Sequence, residues 1–103
     1  MAELPTSHIV YLEASKNYTI FVFSDGKKKL STTTLGKHEA DLCEDCFIRT
    51  HRSFVINRGY IERFELDSKT GWIILKNGKM MPISRRRLPK VSRLVLNHAP
   101  QSN

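Results

Sequence analysis

The sequence has no apolar run longer than four residues, of which residues 9–12 are an example, so nothing approaches the roughly 20 apolar residues of a membrane-spanning helix. Residues 1–7 lack the basic and apolar regions of a secretory signal, and no basic amphipathic helix or lipidation site is evident. A cytoplasmic protein with no membrane partner is expected. Cysteine is scarce: Cys43 and Cys46 form a single CxxC, flanked by His38 and His51. A zinc finger sets its Cys pair about a dozen residues from its His pair, and a thioredoxin-like motif joins a strand to a helix in a βαβ unit; neither context is present. We expect two reduced cysteines at a helix end, Cys43 partly buried, with no metal and no other cofactor. No Gly-rich phosphate loop, nucleophile elbow, paired-carboxylate pattern or HExxH occurs, so the common enzyme classes are not indicated.

Acids are also missing from one half of the chain. Residues 1–46 carry five Lys and Arg against seven Asp and Glu, and residues 47–103 carry twelve against three, which divides the net charge of +7 into −2 and +9. Such asymmetry focuses positive potential where a polyanion is attracted and counterions are released on binding, and nucleic acid is the leading partner on charge alone. A metal-dependent nuclease would need carboxylates among those cations.

What is there is concentrated in residues 47–64, FIRTHRSFVINRGYIERF, where four arginines and a histidine alternate with aromatic and branched apolar residues. Arginine carries a permanent charge on a planar fork that pairs with phosphate oxygens or a guanine edge, so several on an apolar framework point to recognition more than to solubility. A plain solvated face would mix in lysine and acid.

At 103 residues the chain suits one domain, residues 1–103, with a core over about residues 8–95 and a frayed tail over residues 98–103. Residues 8–12 and 18–23 read as strands around the polar connection EASKN, and Ser24, Asp25 and Gly26 turn the second into a lysine-rich edge strand over residues 27–31. Thr34 is placed to cap a helix over residues 35–41. Residues 47–49 read as a short strand, residues 53–57 as an apolar turn or short helix, and residues 60–66 as a strand. Strands over residues 72–75 and 79–83 flank Asn77-Gly78, the strongest two-residue hairpin signal in the chain. Ser84 is placed to cap a last helical segment over residues 85–97, with Pro89 close to its start. The pattern predicts a mainly β domain with one or two short helices.

The runs FIRTHRSFVIN followed by Ile61, LKNG, PISRR and, near the start, IVYLEASKNYT resemble the LytTR family of bacterial DNA-binding domains over roughly residues 8–95. The resemblance implies an elongated, mostly antiparallel β fold that inserts loops into successive major grooves of double-stranded DNA. It further implies the output end of a two-component response regulator that binds imperfect direct repeats in promoters and bends the DNA. Such a domain commonly follows a receiver domain, for which 103 residues leave no room, so the chain is expected to be an excised output domain or a stand-alone regulator. It should be monomeric when free and paired on DNA.

Three loops are implied as contacts. In the first, Ser15-Lys16-Asn17, Lys16 or Asn17 approaches a base. In the second, His51-Arg52-Ser53, Arg52 probes a base edge while His51 and Ser53 meet phosphate. In the third, Ser84-Arg85-Arg86, Arg85 reads a base while Ser84, Arg86 and, from the preceding hairpin, Lys76 meet phosphate. Arg49 and Asn57 are signature positions open to either a structural or a DNA-binding role, since a strand arginine and a turn asparagine often satisfy carbonyls or a buried acid. Phe47, Phe54, Val55 and Ile61 are expected in the core. The rival to duplex DNA is a non-enzymatic RNA- or protein-binding module on the same basic surface.

Overall fold

The computed structural model describes residues 6–98. After a 3-10 turn at Thr6–His8 come β1 (Ile9–Ser15), β2 (Tyr18–Phe23), β3 (Lys28–Ser31), α1 (Leu35–Asp41), β4 (Phe47–His51) and β5 (Phe54–Asn57). A second 3-10 turn, Arg58–Tyr60, leads to β6 (Ile61–Leu66), β7 (Gly71–Leu75), β8 (Met80–Ile83) and α2 (Leu88–His98). The first five strands form one antiparallel sheet in the order β3-β2-β1-β5-β4, and the last three form a second in the order β6-β7-β8.

Alternation along the strands explains the layering. In β4 and β5, Phe47 and Val55 point to one side with Ile9, Leu12, Phe23 and Leu35 of α1, while Ile48 and Ile56 point to the other with Ile73, Leu75, Met81, Leu88 and Val91. The five-stranded sheet is therefore covered by α1 on one face and by the second sheet with α2 on the other. A register irregularity between Ile9 and Tyr11 lets consecutive Val10 and Tyr11 both face the second core, as a bulge does. Phe54 and Ile61 are half-buried against that core.

Four expectations change. EASKN is not an open connection: β1 runs on through Ser15, which pairs with Tyr18 across a turn of two residues. Residues 53–57 are not a turn or short helix, because β5 pairs with both β1 and β4 in the middle of the sheet. The final helix starts at Leu88, after a turn, and not at Arg85. Cys43 is exposed, not partly buried. The tail over residues 99–103 lies outside the described residues. No helix among the described residues is long and apolar enough to cross a membrane.

Candidate nucleic-acid interface

The β1–β2 turn presents Lys16 and Asn17, both exposed, on a hairpin so tight that Lys16 takes φ +57°. That left-handed conformation costs an L-residue roughly 1–2 kcal/mol. The β4–β5 turn presents Arg52 in the same way, with His51 pairing Phe54 across it. The two turns are neighbours, since the Ala14 N–H donates to the Ser53 carbonyl at 2.8 Å. After β8, residues 84–87 form a third turn in which the Arg87 N–H donates to the Ser84 carbonyl at 3.0 Å and Arg85 and Arg86 are exposed. The Ser84 N–H donates to the Thr50 carbonyl at 2.9 Å, so this turn is anchored beside the end of β4. Two backbone hydrogen bonds thus bring three segments far apart in sequence to one end of the molecule.

The β4–β5 turn is held from behind. Arg49 pairs with Glu39 of α1, donates from Nε to the His51 carbonyl at 2.8 Å and from Nη2 to the Arg52 carbonyl at 2.7 Å. Its side chain is 15% exposed, and its donors are turned inward onto the loop. The Ser53 N–H donates to His51 Nδ1 at 3.1 Å, which places the neutral ring's own proton on Nε2, while the ring leans on Phe54 at 5.4 Å. Arg52 is left projecting from a braced turn.

A fourth segment joins this end without having been anticipated. Gly71 pairs with Ile83, which sets the β6–β7 turn beside residues 84–87. There the Asp67 carboxylate accepts the Lys69 and Thr70 N–H groups, each at 2.8 Å, and the Thr70 hydroxyl, and these bonds hold its pKa below the usual carboxylate range. Lys69 and Arg85 border a shallow cleft shared with Trp72 and Pro82. The sequence shows an Asp-Ser-Lys-Thr turn here, but only strand register reveals its neighbour.

Electrostatics favour an anion at this end. Among the described residues the only ion pairs are Arg49–Glu39 and Arg63–Glu65, so Lys16, Arg52, Lys69, Arg85 and Arg86 have no carboxylate partner there. The three consecutive arginines also precede the N-terminus of α2, whose dipole disfavours cations, and a bound phosphate would offset both terms.

Two expected residues lie elsewhere. Asn57 is 8% exposed at the opposite end of β5, where Nδ2 donates to the Ile9 carbonyl at 2.7 Å and Oδ1 accepts from the Gly59 N–H at 2.9 Å. Lys76 follows β7 at the far end of its hairpin from Ser84, roughly 20 Å away along the strand. Phosphate contact at Lys76 would require the duplex to run the length of that hairpin. Among the described residues no group of three or more His, Cys, Asp or Glu side chains gathers as a metal site.

Comparison with known proteins bears on the family and the fold. The family model of the LytTr DNA-binding domain matches residues 1–95. The Sensory transduction protein LytT of Enterococcus faecalis is 35% identical over 77 residues, covering 74% of this chain and 32% of that protein, so the chain spans about a third of its relative's length. A solved structure, the LytTr DNA-binding domain of a Bacillus cereus protein described as a methyl-accepting/DNA response regulator, superposes with a TM-score of 0.79 at 30% identity, covering 90% of this chain and 84% of that one. With a family match over nearly its whole length and the same antiparallel β architecture, the chain belongs to the LytTR family of DNA-binding domains.

Proposed function

We propose that this chain is a sequence-specific binder of double-stranded DNA that regulates transcription in the bacterial cytoplasm. Membership of a non-enzymatic DNA-binding family supports the partner and the role. The observation that carries the mode of binding is the pair of backbone hydrogen bonds, Ala14 to Ser53 and Ser84 to Thr50, that gathers three cationic turns at one end. From there Lys16 or Asn17, Arg52 and Arg85 reach base edges in successive major grooves, and His51, Ser53, Ser84 and Arg86 meet the backbone. Arg49 and Asn57 act through the loops and strands they hold. The domain is monomeric when free and pairs on direct repeats, as the output part of a longer response regulator.

In vitro selection of duplexes bound by the chain tests this reading. The expected result is an enriched repeated half-site with a strongly salt-dependent affinity, outcompeting RNA of the same sequence. Recovery of no common motif, or equal retention of RNA, would count against it.

A further inference from the structure

The CEDC segment is not used by the DNA-reading end. It connects α1 to β4 at the end of β4 opposite Arg52, and it is closed by two hydrogen bonds: the N–H groups of Cys46 and Phe47 both donate to the Cys43 carbonyl at 3.0 Å. The Arg58 N–H donates to the Cys46 carbonyl at 2.7 Å and fixes the turn to the chain beyond β5. A four-residue turn of this kind brings its first and last Cα atoms within about 7 Å, and disulfides span about 4.4–6.8 Å between Cα atoms. Both thiols are exposed, so a small reagent has access to either.

The two sulfurs are also unequal. The neighbouring Cys46 thiol foremost, and the Asp45 backbone after it, hold the Cys43 thiol below its ordinary pKa, while the proximity of Cys43 holds the Cys46 thiol above its own. One cysteine is prepared to attack and the other to resolve. The βαβ setting of thioredoxin is absent, but exchange needs only a thiolate, access and a second thiol within reach. With no third ligand gathered among the described residues, thiol chemistry suits this pair better than a closed metal site.

We propose that Cys43 and Cys46 form a reversible dithiol–disulfide pair that exchanges with low-molecular-weight disulfides. Cys43 gives up its proton and attacks one sulfur of R–S–S–R; that S–S bond breaks, R–S⁻ leaves and takes up the proton. Cys46 then loses its proton and attacks the Cys43 sulfur of the mixed disulfide, which expels the second R–S⁻ to be protonated in turn. The pair is oxidised by two electrons to one disulfide, and R–S–S–R is reduced to two R–SH.

The test uses the folded chain, oxidised glutathione, acid quenching, alkylation and mass measurement, with thiol state and not DNA affinity as the readout. Wild type should pass from two alkylatable thiols to one intramolecular disulfide without retained glutathione. Cys46→Ser should instead retain one glutathione as a mixed disulfide on Cys43, since no second thiol is left to expel it, and denaturant, which opens the turn, should slow closure of the wild-type disulfide. Persistent glutathione on both cysteines of wild type, covalent dimers, or no retained glutathione on Cys46→Ser would overturn the proposal.

Discussion

Lys16 and Asn57 show how differently two polar residues of one signature can serve a binding domain. Asn57 is consumed by two backbone groups inside the fold, so Asn57→Ala should lower stability by about 1–3 kcal/mol in urea unfolding, leaving base preference on a selected duplex unchanged. A shift in preference would return it to the contact surface. Lys16, in contrast, is exposed and strained at φ +57°. Glycine adopts that conformation freely but loses more entropy on folding, so Lys16→Gly should stabilise the fold by up to about 1 kcal/mol. The same variant should bind DNA more weakly, and a variant both less stable and equally tight would contradict the role given to this turn. Arg49 lies between the two cases: a signature arginine at the edge of the interface whose donors brace the loop carrying Arg52.

At the scale of elements, legibility followed the patterning of each segment. Strand β2, helix α1 and the β7–β8 hairpin were readable because alternation, a capping threonine and Asn77-Gly78 are local signals; Gly78 takes φ +91° in that turn. Thr34 precedes the helix as expected but makes no side-chain capping bond. Strand β5 was not readable, because SFVIN is short and, with both faces of its sheet covered, lacks the polar alternation that marks a half-buried strand. The candidate site was legible loop by loop, yet its assembly was not: the Ser84–Thr50 bond and the Gly71–Ile83 register that brings in Lys69 are long-range facts.

Helix α1 adds a pH dependence. His38 accepts or donates a hydrogen bond with Ser31 of β3 at 2.8 Å and meets the Phe21 ring edge-on at 4.8 Å. Burial lowers its pKa from 6.5, against an opposing pull from Asp41. The unfolded chain therefore binds the proton first as pH falls, so this contribution is present above about pH 6.5 and is lost as pH drops through the lowered folded value. Unfolding curves between about pH 7 and pH 5 should show that loss, and His38→Gln should flatten it.

Across the whole molecule, a body of 43 × 26 × 23 Å separates a cationic end from one where residues 24–27 and Asn57 lie. The charge division by sequence halves does not map onto these ends, since Lys16 comes from the half of net charge −2 and Lys76, from the half of +9, lies at the far end. The central claim is that one end reads DNA, and the most direct measurement compares Arg52→Ala with Lys27→Ala, at the opposite end of the same sheet, on a selected duplex and its single-base variants. The account predicts that Arg52→Ala loses about 1–3 kcal/mol and relaxes preference at one position, while Lys27→Ala stays within about 0.5 kcal/mol of wild type with its preference intact. Equal losses for the two variants, or an Arg52→Ala domain with unchanged affinity and preference, would contradict it.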